Sequence, residues 1–252
     1  MSKFKDLMLD CVQSTEVKMA DGTKVKVRAF LMKEMKMLVL AQEANQGQEQ
    51  VIVDILKSCI VSKNIDVEKL AIFDIEWLYL EIWKLSKGTS FIPMTFTCQN
   101  EIDVPISDES LTETRKQLCG ESIKVNANLS TVEFTETPND TLVINDNFTL
   151  KMRYPNVLES EFFDIEKDSD VFNLINRCIS EVHLKSEVLQ VGRDMDESEL
   201  SELMEYVDEK GFEKLANFVT KMPTLQIIIP VKCSKCGTQE AVKLTGLQDF
   251  LE

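Results

Sequence analysis

The chain is poor in histidine and lacks the short motifs that build many active sites. Its single histidine is His183, so a histidine-activated nucleophile would have to be Ser180, Ser186 or Cys178. There is no Gly-x-Ser-x-Gly turn and no glycine-rich phosphate loop. A lone histidine after a predicted helix is typical of ordinary surface, because a catalytic triad demands much more geometry than one residue supplies.

Paired carboxylates are the other route to acid–base chemistry, and two pairs lie close in the sequence. Asp74 and Glu76 fall in the first turn of a predicted helix, where the helix dipole favours acids. Glu159 and Glu161 fall in a polar loop that solvent explains without catalysis. We therefore predict no catalytic residues, and we predict that the chain is not an enzyme.

Positive charge is also scarce. Lys and Arg together number 28 against 43 Asp and Glu, which gives a net charge of -15. Nucleic acids and anionic membranes bind basic surfaces, so this balance argues against both as partners. An acidic surface instead favours a basic protein partner.

Long apolar runs are absent as well, and we predict no secretory signal. No stretch of about eighteen apolar residues occurs, so we predict no membrane span. The first residues, Met1–Asp6, do not read as a signal peptide. The seven cysteines are an odd number in a chain of 252 residues, which favours a reducing cytoplasm and mostly free thiols.

What is present predicts a folded α+β protein, because hydrophobic residues make up 44% of the chain. Residues 1–106 read as a hairpin around Asp21–Gly22, several helices, and a first cysteine hairpin that runs into Cys98 and returns through Ile102–Ile106. Residues 107–155 read as a β-rich middle segment, with a short helix between Ser107 and Gly120. Residues 156–252 read as helices followed by a second cysteine hairpin.

The second cysteine hairpin carries the strongest chemical signal. Cys233 and Cys236 precede Gly237 between two apolar runs, which is the shape of half a zinc ribbon. Cys98 is a third ligand candidate, and a water, an acid or Cys119 would have to complete a tetrahedron. On this ligand count, a degenerate ribbon that folds without metal is favoured, and one structural zinc is the alternative. A redox Cys-x-x-Cys normally begins a helix, which this turn does not.

Partner binding is predicted at exposed apolar features. The candidates are the two cysteine turns, the β-rich middle segment, and the short amphipathic tail that contains Leu247, Phe250 and Leu251.

In order and spacing, the chain resembles the baseplate hub assembly proteins of T-even-like phages with contractile tails. The resemblance spans nearly the whole chain and rests on a succession of segments, none of them highly specific alone: Asp21–Gly22, Arg28–Ala41, Asp66–Leu70, Phe73–Leu78, Lys84–Gly88, Leu150–Pro155, Phe212–Leu215, Met222–Pro223, Cys233–Gly237 and Leu244–Phe250. In that family the first hairpin also carries Cys-x-x-Cys, whereas here it keeps only Cys98.

The resemblance implies a non-enzymatic late protein that acts in assembly of the central baseplate hub. It implies either an assembly chaperone or a structural subunit, with hub, tail-tube or tape-measure proteins as partners. The location would be the host cytoplasm during assembly, or the tail baseplate of the virion.

Two other classes compete with this interpretation. A zinc-ribbon adaptor acting on nucleic acid would use the small basic patch of Lys232, Lys235 and Lys243. An enzyme of unrecognised type would need His183 or an acid pair inside a pocket.

Overall fold

The computed structural model describes residues 11–44, 48–107, 110–136, 139–156, 159, 168–185 and 187–251. Within these ranges the chain has seven helices and thirteen strands, which confirms the predicted α+β class. The chain divides into two compact units. Unit 1 comprises residues 1–86 and 136–224, and unit 2 comprises residues 87–135 and 225–252. Each unit combines two separate stretches of sequence, whereas the predicted segments are consecutive.

Unit 1 begins with the predicted hairpin, which the structure confirms. Strands β1 (Ser14–Lys18) and β2 (Lys24–Arg28) pair in antiparallel register around Asp21–Gly22. Gly22 has a positive φ of 89°, which only glycine adopts without strain, and the Asp21 carboxylate accepts a hydrogen bond from the Thr23 amide at 2.7 Å.

Three helices follow the hairpin, close to the periodic apolar patterns that predict helices at Leu31–Ala44, Val51–Val61 and Phe73–Leu85. They are α1 (Met32–Ala44), α2 (Gln48–Cys59) and α3 (Ile72–Lys87). The apolar stripes of α2 and α3 are buried with the inner face of the hairpin, and the fully buried side chains include Val25, Val27, Ile55, Leu56, Leu78 and Leu80. Because one face of each helix is buried, its apolar residues recur at helical spacing, and this pattern predicts the helices from the sequence.

One side chain of the hairpin departs from its predicted face. Strict alternation places Arg28 with Lys24 and Lys26 on a basic outer face, but Arg28 is only 5% exposed. Its guanidinium contacts the buried Glu34 carboxylate at 2.8 Å and the Ser58 carbonyl at 2.6 Å. A buried ion pair therefore joins the hairpin to α1 and α2.

The second part of unit 1 is a four-stranded antiparallel sheet in the order β11-β10-β9-β8, covered by helices. Its strands are β8 (Thr141–Asn145), β9 (Phe148–Met152), β10 (Ile179–Leu184) and β11 (Glu187–Gln190). The helices are α4 (Asp168–Cys178), α5 (Glu197–Met204) and α6 (Glu209–Thr220). The amphipathic pattern at Val171–Val182 predicts one helix, but the chain passes into β10 at Ile179.

The sequence Asp196–Glu199 predicts a capping box at the start of a helix, and this capping box is present at the start of α5. Asp196 accepts hydrogen bonds from the amides of Ser198 and Glu199, and the Glu199 side chain accepts from the Asp196 amide.

The position of Gly211 after the helical pattern at 200–207 predicts that it ends this helix, and this prediction is wrong. Gly211 lies in the first turn of α6 and donates its amide hydrogen to the capping carboxylate of Asp208 at 2.8 Å. A Cβ at this position would lie 2.7 Å from Val207 Cγ1 and 2.9 Å from Ile144 Cγ2. The glycine is therefore required by close packing and not by helix termination.

We expect Gly211→Ala to destabilise unit 1 by about 1–3 kcal/mol, since overpacking a buried contact costs this much and exceeds the helix-propensity gain of alanine. Urea unfolding followed by circular dichroism measures the effect. Glu213→Ala, at an exposed position of the same helix, is the matched control and should change stability by less than about 0.5 kcal/mol. Equal stability of the two variants would contradict the packing argument.

Unit 2 is built from strands with one short helix. Strands β3 (Phe91–Thr97) and β6 (Ser122–Asn128) pair with each other, as do β4 (Glu101–Ser107) and β5 (Ser110–Leu118). Strand β12 (Leu225–Lys232) pairs with β13 (Gln239–Thr245) and with the short β7 (Glu133–Phe134). Helix α7 (Gly246–Leu251) ends the described chain.

Two predictions for this region are wrong. The return strand Ile102–Ile106 does not pair with the strand that leads into Cys98, because β3 pairs with β6 and β4 pairs with β5. The segment Ser107–Gly120 contains a strand instead of a short helix. Thr112 and Thr114 are β-branched residues, which favour a strand over a helix.

Candidate metal centre

The cysteine turn between β12 and β13 has the predicted hairpin geometry. The Cys233 amide donates to the Thr238 carbonyl at 2.9 Å, and the Gly237 amide donates to the Cys233 carbonyl at 3.0 Å. Gly237 has a φ of 75°, which lets the chain reverse directly after Cys236. The Cys236 amide lies 3.5 Å from Cys233 Sγ, so the backbone wraps around the first sulfur.

Another turn in unit 2, earlier in the sequence, repeats these hydrogen bonds around Cys98. The Cys98 amide donates to the Glu121 carbonyl at 2.9 Å, and the Gly120 amide donates to the Cys98 carbonyl at 3.1 Å. Gly120 has a φ of 64° and follows Cys119 as Gly237 follows Cys236. Cys98 and Cys119 therefore occupy the places of Cys233 and Cys236 in an equivalent turn.

The two turns differ because the β4–β5 hairpin interrupts the turn between Cys98 and Cys119. The hairpin leaves the turn at Glu101 and returns at Leu118. Its base is closed by the Cys119 amide, which donates to the Asn100 carbonyl at 2.8 Å. Without residues 101–118, the sequence would read Cys98-Gln-Asn-Cys119-Gly120, which is a Cys-x-x-Cys-Gly turn.

The two turns bring four sulfurs together. Cys98 Sγ lies 3.7 Å from Cys236 Sγ, and Cys119 Sγ lies 3.7 Å from Cys233 Sγ. All four sulfurs lie within 4.8 Å of one another. A disulfide bond would require about 2.05 Å, so all four are separate thiols.

The cluster is shielded from solvent. Cys98, Cys119 and Cys233 are buried, Cys236 is partly buried, and the side chains of Ile102 and Ile123 pack against the group. The Lys235 ammonium donates a hydrogen bond to the Cys119 carbonyl at 3.1 Å, which joins the Cys233–Cys236 turn to the turn that contains Cys98 and Cys119.

Hydrogen bonding and burial give the thiols of the cluster different pKa values. The side chain and backbone of Thr238 bond to Cys236 and lower the pKa of its thiol to about 6. At Cys98 a backbone hydrogen bond from Asn100 favours the thiolate, but burial and the neighbouring thiols outweigh it and raise the pKa to about 12. At Cys119 a backbone hydrogen bond from Glu121 acts in the same direction, and burial with Cys233 again raises the pKa. Of these three groups, only Cys236 favours the thiolate near neutral pH.

This cluster contains all three residues predicted as metal ligands, which are Cys98, Cys233 and Cys236. The fourth member is Cys119, which the sequence indicates only as one alternative for the fourth ligand, with a water or an acid as the others. The signal that identifies it is the dipeptide Cys119–Gly120, which repeats Cys236–Gly237. The inserted hairpin hides this signal, because spacing rules expect two ligands of one turn to lie a few residues apart.

The side chains considered for catalysis make ordinary structural contacts. His183 Nε2 lies 2.9 Å from Glu181 Oε2 on β10, and Ser180 donates to the Lys151 carbonyl at 2.8 Å. Cys178 is buried, which raises the pKa of its thiol to about 12. Ser186 lies outside the described residues. Within the described part of the chain, His183 is not hydrogen-bonded to any of its candidate nucleophiles.

Among the acids considered for catalysis, Asp74 and Glu159 make contacts within unit 1. Asp74 is buried in unit 1, and burial raises the pKa of its carboxyl group to about 6. Glu159 forms a bidentate ion pair with Arg153 at 2.6 and 2.7 Å, which lowers the pKa of Glu159. Glu161 lies outside the described residues.

The predicted exposure of the C-terminal tail is wrong for two of its three residues. Leu247 is buried and Phe250 is fully buried in unit 2, because α7 packs on β12 and β13. The Leu251 side chain lies outside the described residues. The Thr245 amide donates to the Asp249 carboxylate at 2.9 Å, which fixes the start of this helix. A role of these residues in partner binding stays a prediction.

We expect Phe250→Ala to destabilise unit 2 by about 3 kcal/mol, since removing a fully buried phenylalanine leaves a cavity. Chemical denaturation monitored by circular dichroism tests this. Gln248→Ala, on the exposed side of the same helix, is the control. A Phe250→Ala variant as stable as Gln248→Ala would contradict the buried position.

No helix in the described ranges has the length and apolar character needed to cross a bilayer.

The amino-acid sequence, and not the fold or the cysteine cluster, shows that the chain is a member of a phage base plate family. The chain belongs to the T4 bacteriophage base plate protein family, whose model matches residues 12–252. It is similar to the baseplate hub assembly protein gp26 of Enterobacteria phage T4, with 26% identity over 233 residues that cover 92% of this chain and 94% of the relative. No solved structure matches the chain.

Proposed function

We propose that this chain is a non-enzymatic protein that acts in assembly of the baseplate hub of a contractile phage tail. The observation that carries this proposal is the similarity to a hub assembly protein along 92% of the chain. Because the matched region extends from residue 12 to residue 252, it includes both compact units and the four cysteines. The shared architecture is therefore not that of a single transferable module.

We infer further that the chain is an assembly factor that binds a hub, tail-tube or tape-measure protein before the tail is complete. Helix α1 supports a contact of this kind. Met32, Met35 and Val39 are 84%, 38% and 49% exposed, and their spacing places them on one stripe of the helix. Flexible methionines exposed beside aliphatic side chains are suited to apolar contact with a protein surface.

Charge would add selectivity to this contact. A net charge of -15 repels other acidic chains and attracts a partner with a basic surface. The competing role as a nucleic-acid adaptor has less support, because the ammonium of Lys235 is already bonded to the Cys119 carbonyl within its small basic patch.

Two measurements made together test the proposal. Mass spectrometry of purified tails determines whether the chain is present in the particle, and a pulldown from infected cells with tagged protein identifies what it binds. Capture of hub or tail proteins, with the chain absent from finished tails, is the expected result. Stoichiometric amounts in finished tails would overturn the assembly-factor role in favour of a structural subunit. Absence of the chain from finished tails, together with a pulldown that captures no hub or tail protein, would overturn a role in tail assembly.

Controls separate specific binding from charge effects. An unrelated acidic protein of similar net charge serves as bait, and the washes use at least physiological salt because exposed charges are then screened. A double variant, Met32→Lys with Val39→Lys, alters the exposed stripe of α1. Lys36→Ala, also exposed on α1, is the matched control. We expect the double variant to lose the partner and the control to retain it.

A further inference from the structure

We propose that Cys98, Cys119, Cys233 and Cys236 bind one Zn²⁺ through four thiolates, and that this ion closes a zinc ribbon whose first turn is divided by the β4–β5 hairpin. The proposal concerns the folding of unit 2 and does not depend on the role in tail assembly.

Sulfur geometry is the first argument. A zinc–thiolate bond is about 2.3 Å long, so the edge of a regular ZnS₄ tetrahedron is about 3.8 Å. The two sulfur pairs that join the turns, Cys98 with Cys236 and Cys119 with Cys233, are each 3.7 Å apart. The remaining separations lie within 4.8 Å, so one ion can contact all four sulfurs with small side-chain movements.

Ligand type is the second argument. Four thiolates in a tetrahedral arrangement select zinc or iron among common protein metals, and hard cations such as Mg²⁺ and Ca²⁺ prefer oxygen. Four protein ligands with no open position are typical of a structural zinc site and not of a catalytic one. Binding releases to solvent the protons of the thiols that are not yet ionised, and the completed ZnS₄ group carries a charge of -2.

The repeated backbone geometry is the third argument. Both turns end in a glycine of positive φ, and both use the same two amide–carbonyl hydrogen bonds around the first cysteine. This arrangement aims backbone amides at the sulfurs, as at Cys236 N and Cys233 Sγ. Two unrelated cysteine-containing loops would not be expected to share this backbone geometry.

The divided turn gives the ion a specific structural task. A two-stranded hairpin is marginally stable alone, and β4 and β5 pair only with each other among the described strands. The chain enters this hairpin just after Cys98 and leaves it just before Cys119, so a bound ion would fix both ends at its base. The same ion would join this base to the β12–β13 turn, far away in the sequence.

The test is the metal content of the full-length protein, purified without a polyhistidine tag from medium containing zinc and iron. Mass spectrometry of the elements is expected to give one zinc per chain. Replacement by Co²⁺ is expected to give the visible spectrum of a tetrahedral site with sulfur-to-cobalt charge-transfer bands. One equivalent of iron, or no bound metal with seven titratable thiols, would overturn the proposal. So would a mass lower by four hydrogens, which would indicate two disulfides.

Single substitutions identify the ligands. We expect Cys119→Ser to weaken zinc binding by more than about 100-fold, since even altering a partner behind a ligand costs about 10–100-fold. Cys11→Ser, at an exposed cysteine that is not a member of the cluster, is the matched control and should leave the metal content unchanged. Equal zinc content in the two variants would show that Cys119 is not a ligand.

Deletion of residues 101–118 keeps the test decisive if Cys119→Ser does not fold. The deletion restores a Cys-x-x-Cys-Gly turn and retains all four cysteines, so we expect one bound zinc. Loss of zinc in this variant, with unit 2 still folded, would contradict the equivalence of the two turns.

Discussion

Removal of the proposed zinc ion is expected to unfold unit 2 and to leave unit 1 folded. Structural zinc sites contribute about 10–16 kcal/mol of apparent binding free energy at neutral pH. A whole domain is typically stable by only about 5–15 kcal/mol, so unit 2 is not expected to survive loss of the ion. Unit 1 contains the large core beneath its four-stranded sheet, which includes no member of the four-cysteine cluster.

Hydrogen exchange measured by mass spectrometry can follow the two units separately. After treatment with a chelator, peptides from residues 87–135 and 225–251 should lose protection, whereas peptides from β8–β11 should keep it. Addition of zinc to the chelated protein should restore the original pattern, which separates loss of metal from irreversible damage. Full protection of β12 and β13 in protein shown to be free of metal would mean that the ribbon folds by side-chain packing alone.

The parts of the fold that could be predicted from sequence are those determined by local periodicity. Helix α3 and the hairpin at Asp21–Gly22 each bury a regular apolar pattern next to a clear turn signal, and both occur as expected. Pairing between distant strands has no such local signal. The partner of β3 is β6, beyond the whole β4–β5 hairpin, so a prediction based on nearest neighbours chose the wrong strand.

The same limitation applies to the proposed metal site and to single buried residues. Cys233 and Cys236 are adjacent in a turn and could be recognised locally, whereas the role of Cys119 depends on an insertion that only the fold reveals. Phe250 was expected to be exposed because a short terminal helix carries no information about the surface it packs on. Arg28 was expected to be exposed because alternation distinguishes faces but cannot identify a buried ion-pair partner.

Glu34→Gln is expected to destabilise unit 1 by about 3–5 kcal/mol, the usual cost of leaving one member of a buried ion pair without its partner. The Glu34 carboxylate is fully buried and accepts hydrogen bonds from Arg28 at 2.8 Å, from Ser58 at 2.6 Å and from the Leu31 amide at 2.8 Å. Glutamine replaces one acceptor oxygen with a donor and leaves the Arg28 charge uncompensated. Unfolding in urea, followed by the fluorescence of Trp77 and Trp83 on α3, reports on this part of the chain.

The pH dependence distinguishes loss of charge from loss of shape. Burial alone would raise the pKa of Glu34, but the hydrogen bonds from Arg28, Ser58 and Leu31 outweigh it and lower the pKa from 4.5 to about 2. Because the folded-state pKa is depressed, the carboxylate contributes its full stabilisation above pH 4.5, and this is lost as the pH falls towards 2. The shift corresponds to about 3 kcal/mol. Between these pH values the stability of Glu34→Gln should therefore fall less than that of the unmodified chain, whereas Glu213→Gln, at an exposed site, should follow the unmodified chain. Parallel curves for all three proteins would show that the ion pair contributes no net charge stabilisation.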